Sequence, residues 1–220
     1  MNVAETRRPQ LGALTVAELG LTLRLSTVGD YRSQEALVAR LIYGVPPLDE
    51  WTGPIVAQLV AGLATRRMLA LCGPTGSGKT TLLYQVATVL GADRMVMTIE
   101  DPVEIAAPAF LQLQVNPEAG MTYASLLKAA LRKRPDVLVI GEIRDFETAQ
   151  AACEAAISGH LVLTTVHAQT PAQVPLRLTA LGVAPPLVQA ALKLGAAVRL
   201  VSTPRVHPEV TVLAYEEVGS

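Results

Sequence analysis

From Arg67 onward, short apolar runs of β type alternate with longer stretches of helical composition. The runs Met68 to Cys72, Met95 to Ile99, Val137 to Ile140 and Leu161 to Val166 predict strands, and each ends in a polar or glycine-rich turn. Between them, Thr80 to Leu90, Tyr123 to Arg132 and Phe146 to Ile157 predict helices; the second follows a capping candidate, Thr122, and stops before Pro135. Leu111-Gln-Leu-Gln-Val115 alternates apolar and polar positions and predicts an extra, half-exposed strand. This alternation predicts an α/β fold with a mainly parallel sheet covered by helices on both faces.

Before Arg67 the texture differs. Leu14 to Leu25 predicts one or two strands, Val28-Gly-Asp30 a turn, Gln34 to Ile42 a short helix and Val45-Pro-Pro47 a linker. The linker Val45-Pro-Pro47 separates residues 1–46 from residues 47–220, and no internal repeat or low-complexity tract is present.

Composition narrows the classes. With 220 residues, 50% hydrophobic and 17% charged, the chain can bury a sizeable core, which excludes disorder as its overall state and leaves room for one α/β domain plus a fragment. Lys+Arg 18 against Asp+Glu 19, with 4% aromatics, argues against a surface built to neutralise phosphates and stack bases, so no direct nucleic-acid binding is expected. Mean hydropathy is +0.37, yet no clean apolar run of roughly 18 residues is present. Trp51 to Thr65 is too short, and Ala155 to Leu176 is interrupted by Gly159, His160, His167, Gln169, Gln173 and two prolines. The stretch MNVAETRRPQ lacks the apolar region of a secretory signal, so a cytoplasmic location is expected, with membrane contact only through a partner. Cys72 and Cys153 suit two buried thiols better than a disulfide framework or a zinc site.

The chemistry begins at Gly73-Pro74-Thr75-Gly76-Ser77-Gly78-Lys79-Thr80, which fits G-x-x-x-x-G-K-[ST] between an apolar strand and a helix. Gly73, Gly76 and Gly78 let the backbone curl so that its N–H groups and the helix start surround an anion. Lys79 would reach the β/γ-phosphates, Thr80 would offer a hydroxyl to Mg²⁺, and Thr81 would help hold the α-phosphate side. About 60 residues after Lys79, Val137-Leu-Val-Ile-Gly-Glu142 places a carboxylate at a strand tip, where Glu142 can hold the Mg²⁺ hydration shell or orient a water. Thr98-Ile-Glu100-Asp101-Pro-Val-Glu104 clusters three carboxylates past another strand end. Glu100, first out of the strand, is the candidate general base, with Asp101 and Glu104 nearer the rim. The plain alternatives are a chance glycine-rich turn, a solvated Glu142 and an acidic solvated loop.

Gly159-His160-Leu-Val-Leu-Thr164-Thr165-Val-His167 begins and ends a strand with histidines. His167, at the C-terminal end, is placed to sense a γ-phosphate; His160, at the opposite end, is not, and zinc is not expected. Arg132-Lys-Arg134 falls at a helix C-terminus, where the dipole alone accounts for cations. Arg7, Arg8, Arg24, Arg40 and Arg144 are all candidates for an arginine finger, and sequence arithmetic does not choose among them.

In their order, GPTGSGKTT, TIEDPVE, RPDVLVIGEIRD and GHLVLTTVH resemble the Walker A, Asp, Walker B and His boxes of the secretion and type IV pilus ATPases. STVGD followed by QEALVARLIY is most similar to the members that assemble the competence pseudopilus for DNA uptake. The resemblance covers nearly the whole chain. It implies a RecA-like P-loop NTPase core over 47–220, preceded over 1–46 by the second half of a PAS-like α+β domain whose first half is missing. It further implies ATP and Mg²⁺ as ligands, a homo-hexameric ring that powers pilus or pseudopilus assembly or type II/IV secretion, an inner-membrane platform protein as partner, and a peripheral position at the cytoplasmic membrane. By resemblance, Glu100 and Glu142 match the catalytic glutamates and His167 the His-box histidine. Arg7 or Arg8, Arg24 and Arg40 fall where relatives supply arginines to the nucleotide or to the adjacent subunit. The chain departs from the pattern at Ala197-Val-Arg-Leu-Val201 and Thr165-Val-His-Ala168 and lacks the four-cysteine insert of many relatives, which favours a competence-like member. Two other readings stand beside the motor: a nucleotide-binding assembly module with little turnover, and a small-molecule P-loop kinase, for which the Asp and His boxes have no role.

Overall fold

The computed structural model of the chain describes residues 10–16, 18, 21–30, 32, 34–63, 67–203 and 205–215. It divides into two units, Met1–Pro46 with Glu104–Ala107, and Pro47–Val103 with Pro108–Ser220.

In the first unit, β1 (Gln10–Val16), β2 (Leu21–Gly29) and β3 (Glu35–Tyr43) form an antiparallel sheet in that order. The apolar stretch Leu14 to Leu25 is thus two strands. Val28 and Gly29 still belong to β2, and the reversal begins at Asp30, whose carboxylate accepts from the Arg32 and Gln34 amides at 2.8 Å each. The short helix expected over Gln34 to Ile42 is not formed; that segment is β3, paired with β2 from Leu21↔Tyr43 to Gly29↔Glu35. Alanine, leucine and arginine favour a helix locally, but Leu37, Ala39, Leu41 and Tyr43 also fit the two-residue period, and the pairing with β2 decides between them.

In the second unit, unbroken apolar runs have no polar face to offer water, so they are stable only inside a sheet covered on both sides. The chain continues through α1 (Thr52–Gly62), β4 (Met68–Cys72), α2 (Lys79–Leu90), β5 (Val96–Glu100), β6 (Leu111–Gln114), α3 (Tyr123–Leu131), β7 (Val137–Ile143), α4 (Phe146–Ile157) and β8 (Leu161–Val166). It closes with α5 (Val174–Ala180), α6 (Pro185–Ala191), β9 (Leu192–Val201) and β10 (His207–Ala214). The sheet order is β10-β9-β4-β8-β7-β5-β6, parallel throughout except that β10 runs antiparallel to β9. The four strands and three helices read from the pattern are all present, with ends shifted by a residue or a few.

Alternation within β4 shows how the layers form. Met68, Ala70 and Cys72 join the core shared with α3, α4 and α6, while Leu69 and Leu71 join the one shared with α1 and α2. Each leucine so removed from water contributes about 2 kcal/mol. The run Trp51 to Thr65, read only as too short for a span, supplies α1, which buries Val56 and Leu59. Among the described residues no helix is long and apolar enough to cross a membrane. α3 starts on the expected cap: Thr122 Oγ1 accepts from the Ser125 amide at 3.2 Å and Ser125 Oγ from the Thr122 amide at 2.9 Å. It ends at Leu131, with Arg132 as its C-cap.

Candidate functional site

A parallel sheet carries every strand's C-terminal end to one edge. Along that edge β4 delivers Gly73, β8 delivers His167, β7 delivers Glu142 and β5 delivers Glu100, in the lateral order in which the strands pair.

The loop after β4 turns on glycines with φ of +131° at Gly73, +75° at Gly76 and +91° at Gly78, conformations that L side chains rarely adopt. Pro74, Thr75 and Gly76 are exposed, Ser77 is buried, and Gly73, Gly78, Lys79, Thr80 and Thr81 are half-buried. The loop leads into α2, whose N-cap, Gly78, offers no side-chain cap and whose first turn has no acidic residue. Helix starts of that kind present N–H groups and a positive dipole end to an anion. The Ser77 hydroxyl, only 4% exposed, has no hydrogen-bond partner among the described residues, an orphan that an anionic oxygen would satisfy. Lys79 Nζ donates to Gly73 O at 2.9 Å and Pro74 O at 2.7 Å, so its ammonium closes the loop on itself. The Gly73 amide donates to Ala168 O at 3.1 Å, which ties the loop to the end of β8.

Two clusters of polar side chains lie beyond the loop. In the first, Glu142 accepts from Arg144 through Oε1, and its Oε2 lies 3.2 Å from His167 Nε2. The carboxylate is mostly buried while both partners are exposed. That hydrogen bond holds the Arg144 guanidinium above its ordinary pKa. The neighbouring strands are pinned where Thr165 Oγ1 donates to Gly141 O at 2.7 Å. Tyr123, at the start of α3, stands between the carboxylates: burial first, then the charges of Glu142 and Asp101, push its phenol above the usual tyrosine range. Arg144, one of the five candidates for an arginine finger, pairs here with a carboxylate of its own chain.

The second cluster surrounds Glu100, which is 3% exposed. Tyr84 and Thr98 donate to its Oε1, Thr98 at 2.6 Å, and Gln112 Nε2 approaches the same oxygen at 3.4 Å while donating to the Tyr84 oxygen at 2.7 Å. Glu100 therefore stands in a network behind the strand tip, while Asp101 and Glu104 are exposed. No sequence motif marks Tyr84 or Gln112: Tyr84 stands in an apolar helical run that reads as core, and the one signal for Gln112 is its place in the alternating Leu-Gln-Leu-Gln segment.

Arg24 and Arg40 belong to the first unit, where β2 and β3 hold them directly opposite each other. Arg7 and Arg8 lie outside the described residues. His160 precedes β8, with Nδ1 3.2 Å from Ala155 O, at the end of the strand opposite His167. Among the described residues no three His, Cys, Asp or Glu side chains form a metal-holding group, so a cation here would take its remaining ligands from water and substrate. Hard oxygens at Thr80 and Glu142 suit Mg²⁺, a cation that usually keeps several waters.

The family model described as Type II/IV secretion system protein matches residues 1–216. Competence protein ComGA of Streptococcus pneumoniae is 45% identical over 185 residues, covering 83% of this chain and 59% of that protein. Competence protein ComGA of Bacillus subtilis is 41% identical over 194 residues, covering 83% and 54%. The chain thus spans little more than half the length of these relatives. Among solved structures, the pilus retraction motor PilT with bound ADP superposes with a TM-score of 0.75 at 24% identity, covering 96% of this chain and 64% of that one, a likeness of fold.

Proposed function

Because the chain belongs to the Type II/IV secretion system protein family, we propose that it hydrolyses ATP to drive assembly of a pilus or pseudopilus, or secretion through a related machine. One observation carries the reading. The glycine loop feeds an α2 without a side-chain cap and contains a buried Ser77 hydroxyl with no hydrogen-bond partner among the described residues, a cradle with the chemistry of a polyphosphate site. The competence names of the relatives support the kind of machine, and the ADP bound to PilT supports nucleotide use.

In this reading residues 47–220 are the RecA-like ATPase domain and 1–46 the back half of a PAS-like partner. Gly73 to Thr81 hold the phosphates, and Lys79 exchanges the carbonyls of Gly73 and Pro74 for phosphate oxygens. Thr80 would hold Mg²⁺ directly and Glu142 would hold it through water, and the cation would supply positive charge against that developing on the phosphate oxygens. Glu100 orients the attacking water, His167 links Glu142 to the phosphate end, and Arg24 and Arg40 supply cationic charge to a nucleotide of this or an adjacent subunit. To hold the hydrated cation, Glu142 would give up its contact with Arg144. The working unit is a homo-hexamer on the cytoplasmic face of the membrane, docked on a platform protein.

Lys79→Ala is expected to abolish phosphate release while leaving the fold intact by circular dichroism. A variant as fast as the wild type refutes the assignment. Light scattering with and without nucleotide reads the assembly, and a chain that binds nucleotide as a monomer without turnover is the assembly module instead.

A further inference from the structure

Glu100 is nearly devoid of solvent contact, and a carboxylate so placed must have its lost hydration replaced. Among the described residues the replacement comes from neutral donors, and they converge on one oxygen. Tyr84 Oη and Thr98 Oγ1 donate to Oε1, with Gln112 Nε2 at its margin. An oxygen with two lone pairs is saturated by that set, which leaves Oε2 as the acceptor for any further proton. The Tyr84 ring is itself fixed, tilted against Phe110 with centroids 5.8 Å apart, and its oxygen accepts from Gln112. Burial, reinforced by the Glu100 charge, pushes the phenol far above the usual tyrosine range, so it stays a donor throughout the working pH range.

Tyr84 lies on α2, five residues beyond Lys79. At 1.5 Å of rise per residue their Cα atoms are about 7.5 Å apart along the axis of the same helix. We infer that Tyr84 is a positioning residue for hydrolysis: through its hydrogen bond to Oε1 it fixes the Glu100 carboxylate relative to the phosphate loop, with Oε2 left to take the proton of the attacking water. The inference rests on Glu100 acting as the base. The helix that begins at the phosphates therefore also sets the rotamer of the base, and a shift of α2 on phosphate binding is transmitted to Oε1 with no intervening loop.

The test compares Tyr84→Phe, Thr98→Val and Glu100→Gln in the full chain, with phosphate release under saturating ATP and nucleotide affinity measured separately by titration with labelled ADP. Phenylalanine keeps the ring against Phe110 and removes only the donor. Tyr84→Phe is expected to lower kcat about tenfold or more, the scale of one hydrogen bond to a charged group, with ADP affinity unchanged within about twofold. Thr98→Val is expected to lower kcat in the same direction, and it carries the test should Tyr84→Phe fail to fold. In a Glu100→Gln background neither change is expected to lower the rate further. An inactive Glu100→Gln beside Tyr84→Phe and Thr98→Val with wild-type kcat overturns the positioning role and leaves the base intact. Loss of ADP affinity in proportion to kcat also overturns it, because that is the signature of a damaged nucleotide site. A fully active Glu100→Gln, or a wild-type chain without turnover, overturns the reading beneath it.

Discussion

A methyl group on Gly73 would lie 2.3 Å from Val198 O, at a φ of +131°, so the first residue of the phosphate loop is closed to any side chain by β9 on one side and by its own backbone on the other. Gly73→Ala is expected to destabilise the chain by about 2 kcal/mol or more, read from urea unfolding, and to weaken ADP binding, because the loop cannot keep its curl. A variant with wild-type stability and affinity would show that the loop tolerates another path. Cys72, the residue before, was read from the sequence as a buried thiol and is one: burial pushes it up to about 11, and Cys153 to about 12. Both are expected to resist iodoacetamide at pH 8 until the chain unfolds. The unfolded chain gives up these protons near the ordinary 9.0 while the folded one keeps them, so stability falls as pH rises from about 9 toward 11. Urea midpoints across that range check the slope, and its loss in a Cys72→Ala, Cys153→Ala protein assigns it. The roles of single side chains were legible to different depths. Lys79 is marked by its motif, whereas the pairing of Arg144 with Glu142 is not, because Arg144 follows the last residue of β7, where no strand period fixes the direction of its side chain.

At the scale of elements, α4 shows why some boundaries are legible. Asp145 accepts from the Thr148 amide at 2.8 Å and from the Thr148 hydroxyl at 3.0 Å, and the helix runs from Phe146 to Ile157 as the pattern predicts. A local cap is written in adjacent residues, so it can be read without the fold. Asp145→Ala is expected to cost about 1 kcal/mol in urea and, under the proposed function, to lower the rate of phosphate release by loosening the chain next to Arg144 without unfolding the sheet. Wild-type values for both would show the cap to be dispensable. β3 is the opposite case. Its composition argues for a helix, and only the neighbouring strand makes the extended form win. β9 and β10 were likewise unread: their alternation is weak, and β9 is held as a strand by β4 on one side and β10 on the other.

For the molecule as a whole, the central strands β4, β7 and β8 are buried on both faces, whereas β3 carries Leu37, Leu41 and Tyr43 more than half exposed. Amides of β4, β7 and β8 are expected to exchange on the order of a hundredfold more slowly than those of β1 to β3, measured by hydrogen exchange at neutral pH. Equal protection would mean that the two units open as one. By itself the sequence determined what depends on near neighbours along the chain: the strand–helix alternation, the caps, the glycine loop and the order of the four boxes, hence the family. Only the tertiary structure decided which oxygens meet which donors. Tyr84, Thr98, Glu100 and Gln112 are brought together by a helix and two strands, and Glu142 meets His167 only because β7 and β8 pair in parallel. Contacts between elements depend on sheet order and register, which nothing within a single element encodes.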